Sequence, residues 1–380
     1  MRIRLACAAF LLSSSVLSHA DDSSTASAPE AAIPRCMAAA ADQLAFNGAV
    51  LVRQGEFVVR RSFGSADGQG REPVASSTRF NIGSAGKMFT ALAIAILVDR
   101  GAVALDAPIG RYLDDLPPAM AAITVAQLLD HTSGLGDYLV PANRAAIESA
   151  TTASQLLPVA IASPLAFVPG SRRAYSNSGF VVLGAIVEKV SRRTYAEFVQ
   201  REILDALGMA DTRLDGSGAA EPMTRMSPAG PLARPQPSPF RGQRASPAGG
   251  LVSTVDDMSR FVSALGDERL VRRATLERFF SPRPEPAGGL GQYGLGFNVR
   301  TSPRLRIGHG GGAPGVNAEV AAFPGSGWQL IALSNNDPPA ATRLVQVLES
   351  AVFAADPQAA CRAAIDAAKA TSALPRPAGR

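Results

Sequence analysis

Between residues 87 and 98 the chain is apolar at nearly every position, with no polar stripe. A helix of that kind is buried on all sides. Asp99, Arg100 and Gly101 then give it a polar end and a glycine stop. Upstream, residues 34–44 read as a helix. Two β-rich runs at 48–54 and 56–62, separated by a turn at Gly55, predict a hairpin. A short extended piece at 78–82 leads into the apolar helix. Downstream, helical patterns follow near 125–130, 145–162, 179–191 and 195–207. Residues 213–250 show no period and are rich in Pro, Gly, Ser and Arg, which reads as a surface loop beside or over a site. Thr254, three before Asp257, opens another short helix. β-rich runs return at 294–300, 305–307, 316–323 and 328–334, and helical patterns at 340–353 and 359–369 follow them. No internal repeat is present.

Strands at both ends with helices between them predict an α+β fold: one antiparallel sheet drawn from residues 36–80 and 290–369, flanked by helices. A mostly helical layer, residues 81–289, is inserted and stacked against it. The whole forms one domain over 33–370, and a site is expected where the layers meet. The ends read differently. Arg2 and Arg4, an apolar stretch over 5–17, and Ser18-His19-Ala20 before two aspartates have the form of a secretory signal peptide, residues 1–20. Residues 21–32 and 371–380 are expected to be disordered.

Composition narrows the partners. Of 37 basic and 32 acidic residues, the signal segment holds two arginines, leaving 35 against 32, a balance of +3. Aromatic residues make up 6% of the chain and do not interleave with a basic stripe, which argues against nucleic acid. Beyond the signal no apolar run approaches the ~20 residues of a membrane span, so a secreted or periplasmic monomer without a transmembrane anchor is expected. Cys36 and Cys361 remain after the signal, one near each end of the domain. A bridge and two buried free thiols are both open readings.

Lysine usage points to chemistry. Only Lys87, Lys189 and Lys369 occur, and only Lys87 has a serine, Ser84, three residues before it. Residues three apart share a helix face. A desolvated lysine can lose its proton, whereas arginine cannot. Ser84 is thus a candidate nucleophile and Lys87 its activator. Tyr175-Ser176-Asn177 sits in a loop before the 179–191 helix. A tyrosine near an ammonium can have its pKa lowered and relay protons, and an Asn amide can hold a substrate carbonyl. His309-Gly310-Gly311-Gly312 ends a strand-like run. Its glycines allow close approach of a substrate backbone, and an N–H there can complete an oxyanion hole with that of Ser84. His131 lies in a helix-ending turn and is expected to be structural.

In this order, the three sets resemble the serine β-lactamase and penicillin-binding family. Its class C-type branch has Tyr-x-Asn as second motif, here Tyr175 and Asn177. That branch includes D-alanyl-D-alanine carboxypeptidases, D-aminopeptidases and esterases. The phrases at 80–87, 123–135, 167–170, 245–254 and 308–315 are similar too, so the likeness runs from about Cys36 to about Ala359. It implies a β-lactamase/transpeptidase-like α/β sandwich and two-step acyl transfer without cofactor or metal. Ser84, Lys87 and Tyr175 would be catalytic, Asn177 and His309 would orient the substrate, and Gly311 and Gly312 would flank it, with the Gly312 amide on the oxyanion. Where efficient class C β-lactamases carry lysine at the third motif, this chain has His309. An imidazole is only partly charged at neutral pH and holds a substrate carboxylate less firmly. The expected substrate is therefore a small or peptidoglycan-derived ester or D-amino-acid peptide. A weak β-lactamase and a non-catalytic penicillin-binding sensor are the alternatives.

Two other readings fail. A phosphate loop needs Gly at Asn81 and Ser or Thr at Met88. The His-Gly-Gly-Gly run lacks the Gly-x-Ser-x-Gly that accompanies it in α/β-hydrolases. The cysteines and histidines show no metal-ligand spacing.

Overall fold

The alternating runs at the two ends of the chain meet in one sheet. In the computed structural model, which describes residues 29–227, 230–284 and 292–373, β1 (Gly48–Gln54) pairs antiparallel with β2 (Phe57–Phe63) through the turn at Gly55. The short β3 (Phe80–Asn81), the hairpin β4 (Met223–Ser227) and β5 (Gly230–Pro237), and β6 (Val252–Ser253) lie outside the main sheet. β7 (Asn298–Arg300), β8 (Arg306–Ala313), β9 (Val316–Phe323) and β10 (Trp328–Ser334) complete it in the order β2-β1-β10-β9-β8-β7. β10 lies against β1 from Gly48↔Ser334 to Gln54↔Trp328. The expected sheet from both termini is therefore present, built from 48–63 and 298–334; residues beyond 334 contribute helices. Residues 1–20, expected to be a signal peptide, residues 21–28 and residues 374–380 lie outside the described residues.

The outer face is covered by helices Pro29–Gln43, Ala340–Val352 and Pro357–Ala373. Their core includes Ile33, Met37, Leu344 and Leu348 against Val50, Val52, Leu330 and Ala332. The first helix starts ahead of Pro34 and takes in part of the stretch expected to be disordered. The reason is burial: Ala32 and Ile33 are fully enclosed, and that apolar area outweighs the linker-like composition around them. Cys36 and Cys361 are bridged, with Cα atoms 5.9 Å apart, tying the first helix to the last.

On the inner face lies the helical layer, centred on Lys87–Asp99, whose residues 87–97 are all buried. The pattern over 145–162 resolves into two helices, Arg144–Ser149 and Ala153–Ala160; Thr152 and Gln155 cap the second reciprocally. The helix at Tyr195–Val199 continues as a π-helical turn, Gln200–Asp205.

Two expectations are corrected. Residues 213–250 are not one long loop, because they fold into the β4–β5 hairpin and then a turn that packs on the nucleophile segment. The glycines after His309 do not end a strand. β8 runs through them, in register with β9 from Ile307↔Ala322 to Ala313↔Val316. Pairing to a wholly buried neighbour overrides their poor intrinsic preference for strand. No helix among the described residues is long and apolar enough to cross a membrane.

Candidate active site

Ser84 is held by a tight turn rather than by the helix itself. Gly83 takes a left-handed φ of 51°, which costs a glycine little. Residues Gly83–Gly86 then form a 3-10 turn that feeds the helix beginning at Lys87. In a 3-10 turn residues i and i+3 eclipse, so the Ser-x-x-Lys spacing still brings the two side chains together. Lys87 Nζ is 3.3 Å from Ser84 Oγ.

Lys87 is 0% exposed. Its Nζ donates to Asn177 Oδ1 and to the Ala248 carbonyl, each at 2.6 Å, and lies 4.8 Å from the ring centre of Tyr175. Burial pushes its pKa down to about 7, against a smaller opposing effect of the Asp137 charge. These contacts define its chemistry. A neutral amine has two N–H bonds and one lone pair. Asn177 Oδ1 and Ala248 O can only accept, so they take both N–H bonds and leave the lone pair for the Ser84 hydroxyl. Ala248 belongs to the turn after β5. Gly250 N–H donates to Gly83 O, and Thr90 Oγ1 donates to Pro247 O, fixing that turn to both sides of the nucleophile.

Tyr175, Ser176 and Asn177 start the helix Asn177–Ser191. Ser176 is its N-cap, its Oγ accepting from Gly179 N–H, and Asn177 is the first helical residue. Tyr175 lies beside Ser84 and Lys87. Burial raises its pKa above the ordinary value, the Ser84 side chain opposes this, and Asp137 adds to it. The expected lowering by an ammonium is thus reversed, because desolvation dominates. The residue as a whole is 37% exposed. Asn177 uses both amide atoms internally, its Nδ2 donating to Asp137 Oδ2 at 2.7 Å. The second N–H of Nδ2 is left for a substrate carbonyl.

His309 is buried, with Nδ1 2.6 Å from Gly310 O and Nε2 3.0 Å from the Tyr293 hydroxyl. A carbonyl only accepts, so Nδ1 carries the hydrogen and Nε2 accepts from Tyr293. Burial, reinforced by the Lys87 charge, lowers its pKa to about 4. The expected partly charged imidazole is therefore neutral, and its ring nitrogens face protein. His131, expected to be structural, is buried with a left-handed φ of 63°. Its Nδ1 accepts from Ser176 N–H, and its ring lies under Tyr175 at 4.4 Å between centres. Burial, with the charges of Lys87, His309 and Arg173, holds it well below its ordinary pKa.

Gly311 and Gly312 bring β8 against the nucleophile turn. A Cβ on Gly311 would lie 1.9 Å from the Ile82 carbonyl oxygen, and one on Gly83 would lie 3.1 Å from Gly312 N. β7 accompanies β8 only to Gly308. Beyond it, that edge of β8 carries no strand among the described residues. Gly311→Ala is expected to lower stability by about 1–3 kcal/mol and activity by about tenfold or more, since it pushes β8 off Ser84. Gly312→Ala, whose methyl meets only the Pro338 ring at 3.1 Å, is expected to fold like the parent. Thermal melts and initial rates of the two variants check this.

Ser84, Lys87, Tyr175, Asn177, Gly311 and Gly312 thus gather at the nucleophile turn, and His309 joins them from behind through Tyr293 and His131. Sequence reasoning missed Asp137, Tyr293 and the Ala248 carbonyl. The last has no side-chain signal, although its phrase, 245–254, was visible. Among the described residues no three His, Cys, Asp or Glu side chains come together as metal ligands.

A serine beside a buried, proton-poor lysine, set between a sheet edge and a helical layer, defines a serine hydrolase of the β-lactamase fold. A model of the Beta-lactamase family matches residues 33–351, and the chain belongs to that family. It is 32% identical over 320 residues to esterase EstB of Burkholderia gladioli, covering 77% of this chain and 76% of the relative. To penicillin-binding protein 4* of Bacillus subtilis it is 28% identical over 312 residues, covering 77% and 68%. The crystal structure of a D-stereospecific amidohydrolase from a Streptomyces species superposes with a TM-score of 0.68 at 26% identity, covering 83% of this chain and 97% of that one.

Proposed function

We propose that this protein is an exported hydrolase that forms an acyl-enzyme on Ser84 and acts on esters or D-amino-acid amides and peptides. The observation that carries the reading is the Lys87 site. Its amine is fully buried, its pKa is pushed down to about 7, and it faces Ser84 Oγ at 3.3 Å. Lys87 takes the Ser84 proton as Oγ attacks the carbonyl. The amides of Ser84 and Gly312 receive the oxyanion. Tyr175, protonated at neutral pH and beside Ser84, gives its proton to the leaving group and regains one from the Lys87 ammonium. Neutral Lys87 then takes a proton from the water that attacks the acyl carbonyl. Tyr175 returns a proton to Ser84 Oγ as the acid leaves, Lys87 again making good the loss. His309 supports the floor beneath β8 through Tyr293, a role that replaces direct contact with substrate. Esterase EstB and the D-stereospecific amidohydrolase support this choice of substrates. Export is supported by the form of residues 1–20 and by the Cys36–Cys361 bridge, which persists in oxidising compartments.

The test is a side-by-side assay with p-nitrophenyl butyrate, D-phenylalanine p-nitroanilide and a chromogenic cephalosporin. Turnover of the ester or the anilide is expected to exceed that of the cephalosporin by at least about a hundredfold in kcat/KM, because His309, at the third-motif position, is buried and uncharged and gives the cephalosporin carboxylate no cation there. A cephalosporin turned over fastest would make the protein a β-lactamase; acylation of all three without release would make it a penicillin-binding sensor.

A further inference from the structure

Asp137 stands one hydrogen bond beyond Asn177, exposed, with a carboxylate that is anchored and makes no ion pair among the described residues. Its Oδ2 accepts from Asn177 Nδ2 at 2.7 Å and its Oδ1 from the Leu139 N–H at 3.0 Å. The residue is exposed, and each oxygen keeps a further lone pair. The ion pairs among the described residues engage other acids. Arg172, on the loop before Tyr175, is stacked on the Phe167 ring at 4.7 Å. Through Asn177 and Lys87, Asp137 belongs to the same hydrogen-bonded chain as the Ser84 hydroxyl.

We infer that Asp137 is a specificity-determining residue, a subsite for an ammonium group carried near the scissile carbonyl, as in amino-acid amides and peptides with a free amino end. The inference rests on the acyl-enzyme reading and names its substrate class. Asn177 and Leu139 hold the carboxylate in place, so its charge needs no reorganisation when a cation arrives. The rest of the cleft agrees in sign. His309 is uncharged and faces inward, and the cation beside Ser84, Lys87, is buried and already donates to Asn177 and Ala248, so an anionic substrate group near Asp137 meets an unpaired carboxylate. The cleft therefore ranks substrates as cation, then neutral, then anion.

Protection of Ser84 against a fluorophosphonate probe reads this ranking directly. The wild-type protein is incubated at pH 6.5 with D-phenylalaninamide, N-acetyl-D-phenylalaninamide or N-acetyl-D-phenylalanine before labelling. At that pH an α-amino group is mostly protonated. The half-protecting concentration of the first is expected to be at least tenfold below that of the second, with the third weakest. Asp137→Asn keeps an acceptor for Asn177 and is expected to bring the first two within about twofold of each other, as removal of a charge-assisted contact requires. Equal protection by the three in the wild type, or a tenfold ratio that survives Asp137→Asn, overturns the subsite alone. Failure of the wild-type protein to label at all overturns the acyl-enzyme reading, and the subsite with it.

Discussion

Ser84→Ala is expected to abolish fluorophosphonate labelling and to lower hydrolysis of a neutral ester by at least about 10⁴-fold, the scale of losing a nucleophile. The fold gives this outcome little room to be ambiguous. Ser84 is half-buried in the turn Gly83–Gly86, and the turn is held by backbone contacts that the hydroxyl does not make, such as Gly250 N–H on Gly83 O. Alanine fits that turn, and thermal melting should be unchanged. What is lost is the oxygen that Lys87 and Tyr175 both address. The measurement is in-gel fluorescence of the probe together with initial rates on p-nitrophenyl butyrate. Undiminished labelling would move the nucleophile elsewhere and leave the cleft without its proposed chemistry.

How much of this site could be read beforehand depends on how local each part is. The pairing of Ser84 with Lys87 was legible because a separation of three works in a 3-10 turn as well as in an α-helix. The burial of the next helix was legible because twelve successive positions offer no polar face. The sheet from both termini followed from the β-rich runs flanking a helical middle. Asp137 was not legible. Its partner Asn177 lies 40 residues away, and an aspartate in a turn carries no pattern of its own. The state of His309 was not legible either, because Tyr293 and the depth of β8 decide it. The strand through Gly310–Gly312 went unread for a related reason. Three glycines say turn when taken alone, and only the buried β9 on one side and the Ile82–Gly83 backbone on the other make them extended. The hairpin within 213–250 and the helix ahead of Pro34 were hidden by compositions typical of loops and linkers.

Lys87→Arg is expected to lower turnover of the same ester by at least about 10³-fold, in the range of removing a positioned general base from an activated serine. The argument turns on which state the site needs. Guanidinium stays charged at any pH a protein survives, so it offers no lone pair to Ser84. It also has to fit a position that is 0% exposed and shaped by Asn177 and Ala248. The wild-type pH profile supplies the second half of the test. The pKa of Lys87 is lowered to about 7 by burial, so the neutral, competent form is the minor one below pH 7 and the major one above it. With an uncharged ester, kcat/KM should rise about tenfold per pH unit well below 7 and level off by about pH 8. Lys87→Arg should remove that rise along with the activity. Were Tyr175 the base in the free enzyme, its burial-raised pKa would give a different curve, with rates still climbing through pH 9 and beyond. A plateau above pH 8 therefore assigns the proton to Lys87 and leaves Tyr175 as the relay to the leaving group; a continued climb reverses the two roles.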